Sequence, residues 1–185
     1  NVDGFVKILG VKLTEAEVFS RFESKFTLSC DTEAALLLAS AESGNLKKNG
    51  NLLVVIIDNG IRSSTLINGM HVLGSEDKTI GDIAHFKIAR EDGKGYIELG
   101  KLWNDPNALS IGIANSMCFL GSSTVVLSGS WLEESTNYAS VVQNVTSLVP
   151  KEIWQHSNIT ASEYGTHISL TAARRLHHLL NPQHQ

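Results

Sequence analysis

The chain has 185 residues, 42% of them hydrophobic and 18% charged, a balance that excludes a disordered segment and suits one packed globular domain. Its 15 basic and 19 acidic residues sum to −4, the reverse of the basic footprint that neutralises nucleic-acid phosphates, so this chain by itself is not expected to grip DNA. Two widely spaced cysteines in apolar sequence surroundings, Cys30 and Cys118, argue against a disulfide framework or a four-ligand zinc site, and point to a reducing cytoplasm. No apolar run approaches the roughly 20 residues of a membrane span, and the first residues lack the basic start and apolar stretch of a signal peptide.

In chain order, Phe5 to Leu9 reads as a short strand. Thr14, three residues ahead of Glu17, offers a capping box for a helix to about Ser24. Phe26 to Cys30 predicts a second strand, and Asp31 can cap the Ala/Leu-rich segment Thr32 to Glu42, a buried helix. Ser43 to Asn51 is polar and glycine-containing, a surface connection. Leu52 to Ile57 is an uninterrupted branched apolar run, as expected of a central strand covered on both faces. Ser64 to Ile67 and Met70 to Leu73 flank Asn68-Gly69, the dipeptide best suited to a type I′ hairpin.

A further extended segment is predicted near Phe86 to Ala89. Asp105-Pro106 supplies a cap and a first-turn proline for a helix reaching Leu120. Thr124 to Ser128 predicts another buried strand. Leu132 to Val149 places Tyr138, Val141, Val142, Val145 and Leu148 at helical spacing; Ile159 to Ser162 is extended; His167 to Leu180 reads as a closing helix. Strands alternating with helices around one antiparallel meander predict an α/β domain with a mixed sheet.

Three short stretches carry a resemblance. Cys30-Asp31-Thr32-Glu33-Ala34-Ala35, Gly81-Asp82-Ile83-Ala84-His85 and Gly95-Tyr96-Ile97-Glu98 are similar to motifs of the ROK family of repressors, open reading frames and kinases. There the first is an Asn-Asp pair before an alanine-rich helix, the second Gly-Glu-Ile-Gly-His and the third Gly-Cys-Leu-Glu. The resemblance implies a ribonuclease H-like fold of the actin-type ATPase superfamily and a sugar site built from Cys30, Asp31, Asp82, His85 and Glu98. Carboxylates accept from sugar hydroxyls, while an imidazole accepts or donates. In the family's kinases the aspartate matching Asp31 is the base for the sugar hydroxyl.

Departures matter as much as matches. Asp82 is one methylene shorter than the family's glutamate, and the asparagine before Asp31 is replaced by Cys30. The family's zinc motif needs three cysteines just before the third glutamate; none lies between His85 and Lys101, so no metal is expected. Kinases of the family cradle nucleotide phosphates on glycine-rich turns, which here read Asp58-Asn59-Gly60-Ile61-Arg62-Ser63-Ser64 and Val125-Val126-Leu127-Ser128-Gly129-Ser130.

The resemblance therefore implies that residues 1–185 form a single C-terminal effector domain. Its ligand would be a small-molecule sugar or sugar phosphate, with no cofactor. Transcriptional control would act through a separate N-terminal DNA-binding part, in a homo-oligomer with no membrane contact. The alternatives are the C-terminal lobe of a sugar kinase, with Asp31 as base and ATP with magnesium as co-substrate, and a module serving mainly dimerisation through Ile111 to Leu120 and the last helix.

Overall fold

A computed structural model describes residues 5–8, 11–14, 50–68, 70–71, 82–90, 92–121, 123–168 and 171. The predicted helices over Thr14 to Ser24 and Thr32 to Glu42, the strand Phe26 to Cys30, and most of the closing helix lie outside them. Strands β1 (Phe5–Ile8) and β2 (Val11–Thr14) pair antiparallel, with Phe5 opposite Thr14. Thr14 thus ends a strand. Val11-Lys12-Leu13-Thr14 alternates apolar and polar after a glycine, a period-two signal that the capping-box reading passed over.

The central sheet runs β5-β4-β3-β8-β9. Its strands are β3 (Asn51–Ile57), β4 (Ile61–Ile67), β5 (Met70–His71), β8 (Ser123–Ser128) and β9 (Asn158–Ala161). The meander β3-β4-β5 is antiparallel, and β8 and β9 add to β3 in parallel. Leu52 to Ile57 is the middle strand because both of its faces are covered. Leu53, Val55 and Ile57 pack with Val125, Leu127 and the helices; Leu52, Val54 and Ile56 pack on the other side with Leu66, Val126 and Ile168. Each such buried side chain contributes about 1.5–3 kcal/mol. At the β4-β5 turn Asn68 takes φ 51°, as the Asn-Gly reading requires, and Ile67 pairs with Met70.

Helix α1 (Pro106–Leu120) starts where predicted: Asp105 Oδ1 accepts from Asn107 N at 2.9 Å, and Pro106 occupies the first turn. Leu109, Ile113 and Met117, spaced four apart, are fully buried against the sheet. The predicted helix Leu132 to Val149 is instead two pieces. A 3₁₀ turn, Ser130–Glu133, tucks Trp131 and Leu132 toward the core, Glu134 is extended, and α2 (Ser135–Leu148) follows. Asn137 Nδ2 donates to Trp131 O at 2.8 Å and holds the break. Leu148 is 49% exposed, and the buried end of the stripe is Val149. The one-turn α3 (Lys151–Trp154) leads to β9. No helix among the described residues is long and apolar enough to cross a membrane, and Cys118 is free and exposed on α1.

Candidate functional site

Cys30 and Asp31 lie outside the described residues; Asp82, His85 and Glu98 lie within them. A 3₁₀ turn, Ile83–His85, is capped by Asp82 at its start and carries His85 at its end. It leads into the hairpin of β6 (Lys87–Ala89) and β7 (Tyr96–Glu98), which pairs Lys87 with Glu98. The chain then enters a second 3₁₀ turn, Leu99–Leu102, and Leu99 N donates to Phe86 O at 2.8 Å. The two 3₁₀ turns are side by side: a Cβ on Gly100 would meet Ala84 O at 3.2 Å and Ala84 Cβ at 3.4 Å. Asp82 and His85 thus flank one turn and Glu98 opens the turn packed beside it, although Glu98 is 16 positions after Asp82 in the chain.

Each of the three has a distinct environment. Asp82 is partly buried, and its Oδ1 accepts from Ala84 N at 3.1 Å and from Ser63 Oγ at 3.1 Å. Ser63 Oγ in turn accepts from Ile83 N at 2.9 Å. His85 is exposed. Glu98 Oε1 accepts from Lys87 Nζ at 2.8 Å. Hydrogen bonding and charge from Lys87 hold the Glu98 carboxyl below the ordinary glutamate range, with smaller contributions from Lys101 and His85.

The local role of Asp82 as a cap, and the partners Ser63 and Lys87, escape sequence reasoning. Ser63 belongs to a strand 19 residues upstream of Asp82, and Lys87 meets Glu98 only through hairpin register. The opposite charges of Lys87 and Glu98 at the two ends of a hairpin-length segment are the signal that pairs them.

The hairpin tip, where the resembling motif has its cysteines, is tied by Asp92. Its Oδ1 accepts from Lys94 N at 3.0 Å, and its carboxylate meets Arg90 at 3.2 Å. Those bonds hold the Asp92 carboxyl below the ordinary aspartate range, the backbone of Lys94 contributing most. No group of three potential metal ligands occurs among the described residues. A groove of about 470 Å³ lies between this hairpin and the start of α1, lined by Ile88, Arg90, Asp92, Ile97, Asp105 and Ile111 among others. Asp82, His85 and Glu98 do not line it, and its polar groups are already engaged: Arg90 with Asp92, and Asp105 with the helix it caps.

At the far end of β3 two turns meet. Asp58 Oδ2 accepts from Arg62 at 2.9 Å, while its Oδ1 accepts from Ser130 N at 2.8 Å and Ser130 Oγ at 3.1 Å. One carboxylate therefore ties the β3-β4 turn to the turn that follows β8. These are the two turns that resemble nucleotide-binding loops. Arg62 is exposed and paired with Asp58.

No protein-family model matches the sequence, and no curated protein matches it at significant similarity. Solved structures do match the fold. A ROK family glucokinase from Streptomyces griseus, in complex with glucose and AMPPNP, superposes with a TM-score of 0.67 at 12% identity, over 90% of this chain and 72% of that one. A ROK family protein from Streptococcus pneumoniae in complex with sucrose gives 0.67 at 15% identity, over 92% and 72%. A ROK family transcriptional regulator, homolog of the E. coli MLC protein, gives 0.63 at 14% identity, over 93% and 58%. Together with the mixed sheet and its flanking helices, these likenesses establish the fold: the chain has the ribonuclease H-like, actin-type architecture that ROK kinases and a ROK regulator share.

Proposed function

We propose that this chain is the sugar-sensing domain of a ROK-type transcriptional regulator. Residues 1–185 would act as one effector-binding unit, with Asp82, His85 and Glu98, joined by Cys30 and Asp31, receiving the hydroxyls of a sugar or sugar phosphate. The placement of Asp82 and His85 on one 3₁₀ turn and of Glu98 at the start of the turn packed beside it supports that role, as do the sugars bound by two proteins of the same fold. An acidic lobe of charge −4 is unsuited to DNA. DNA contact would therefore belong to another part of the protein, and sugar would act by its differential affinity for two arrangements of a homo-oligomer.

The observation that carries the sensor reading over the kinase reading is the Asp58 bridge. A carboxylate bonded to both turns takes up the Ser130 backbone amide at the place where a kinase of this fold needs backbone amides and metal for phosphates. Arg62, exposed at the start of β4, adds a long side chain where close backbone approach requires glycine. The kinase reading draws on the glucokinase likeness and on Gly129, kept at φ 117°.

Calorimetry decides between them. The protein is titrated with D-glucose, D-mannose, D-galactose, N-acetyl-D-glucosamine and their 6-phosphates, with and without ATP and magnesium. Sugar binding indifferent to nucleotide is expected; ATP-dependent phosphorylation of any of these sugars would overturn the sensor reading. Asp82→Ala and His85→Ala should each abolish binding without unfolding the protein, and unchanged affinity would reject the site.

A further inference from the structure

We infer that Ser63 is the positioning residue that aims the Asp82 carboxylate at a sugar hydroxyl; the inference rests on the reading of Asp82 as a sugar acceptor. Ser63 is 1% exposed on β4. Its single hydroxyl does two things at once, donating to Asp82 Oδ1 at 3.1 Å and accepting from Ile83 N at 2.9 Å. Ala84 N supplies a second donor to the same Oδ1 at 3.1 Å. Oδ1 is therefore occupied, whereas Oδ2 accepts no hydrogen bond from the described residues. An aspartate has two side-chain torsions, and two donors converging on one oxygen restrict both. A carboxylate held in this way is already oriented, so less freedom is lost when a hydroxyl binds.

A glycine or alanine at 63 cannot do this, because only a hydroxyl both gives and takes a hydrogen bond here. The short reach of Asp82 fits the same scheme. Its carboxylate is held back against β4 by Ser63, so the acceptor oxygen is placed by the strand as well as by the turn that bears it.

A purely structural Ser63 would merely satisfy the buried N–H of Ile83. The two roles separate in a double-mutant cycle on sugar affinity, measured by calorimetry with whichever of D-glucose, D-mannose, D-galactose and N-acetyl-D-glucosamine binds most tightly. Asp82→Asn keeps a cap acceptor but replaces Oδ2 with a donor. Ser63→Ala should weaken binding about ten-fold in the wild-type background, a coupling expected within one hydrogen-bond network. It should cause no further loss in the Asp82→Asn background, and Ser63→Thr should restore affinity. If Ser63→Ala does not fold, Ser63→Cys, close in volume and a poor donor, replaces it in the cycle.

Equal losses in both backgrounds, or no loss in either, would overturn the positioning role. If Asp82→Asn binds sugar as the wild type does, or if no sugar gives heat, the sugar-site reading itself fails and this inference with it. Thermal melts of the same four proteins would then still register the Ser63–Asp82 bond as a stability coupling, which tells the two failures apart.

Discussion

Gly129 passes so close to Ile57 that a Cβ on it would lie 2.1 Å from the Ile57 carbonyl oxygen and 2.6 Å from its carbonyl carbon. Both atoms are backbone at the end of the central strand β3, where Ile57 is paired with Ile61, so neither can step aside. Gly129→Ala is therefore expected to cost more than 3 kcal/mol, about the scale of a steric clash added to backbone strain at φ 117°. Gly121, at φ 73° after α1, has nothing within 4 Å of the same virtual atom. Gly121→Ala should cost only about 1–2 kcal/mol of strain. Urea unfolding of the two variants checks the ranking, and equal losses would count against the close approach.

The Asp58 bridge should be measurable as well. Asp58→Ala removes three hydrogen bonds, from Arg62, Ser130 N and Ser130 Oγ. The carboxylate is about a third exposed, so the expected loss is about 1–2 kcal/mol rather than that of a buried charge. Asp58→Asn keeps an acceptor for Ser130 and should lose less than 1 kcal/mol. Thermal denaturation distinguishes the two. If both variants lose equally, the Arg62 pair rather than the Ser130 contact carries the bridge.

Gly112 on α1 presses on the segment that bears Glu98. A Cβ there would stand 2.3 Å from Leu99 Cδ2, and Leu99 is fully buried. Gly112→Ala gains about 1 kcal/mol of helix propensity but overpacks by about 1–3 kcal/mol, so no net stabilisation is expected. Leu99→Ala alone should cost about 2–5 kcal/mol. The double variant should be more stable than the sum of the two single losses predicts, because each change relieves the other. Additive losses in denaturant melts would show that the two positions do not touch.

The Lys87–Glu98 pair makes a pH prediction. The Glu98 carboxyl titrates below the ordinary glutamate range because Lys87 donates to it and adds positive charge. A depressed carboxylate stabilises the fold fully above the unfolded value, and that contribution fades as pH falls through the folded one. NMR titration of the Glu98 carboxyl should give a depressed midpoint in the wild type, moving up toward the ordinary value in Lys87→Met. An unmoved midpoint would assign the shift elsewhere. Both side chains are substantially exposed, so added salt should weaken the effect.

Much of the fold was legible from local pattern. The branched run Leu52 to Ile57, the Asn68-Gly69 turn and the Asp105-Pro106 cap all became what their chemistry predicts, because each is decided by residues within a few positions of one another. The break between Glu133 and Ser135 was not legible, because the helical spacing continues across it while Trp131 and Leu132 pack toward the core instead.

The candidate site divides the same way. Its residue types and their order along the chain were determined by the sequence alone: an acid at 82, an imidazole at 85 and an acid at 98, in stretches similar to ROK motifs. Only the tertiary structure decided that one oxygen of Asp82 is taken by Ser63 and Ala84, that Glu98 is paired with Lys87, and that Asp58 joins two turns 72 residues apart. The physical reason is common to all three. Hydrogen bonds act over about 3 Å, and which distant groups come within that range depends on strand register and on the packing of turns, which local composition does not encode.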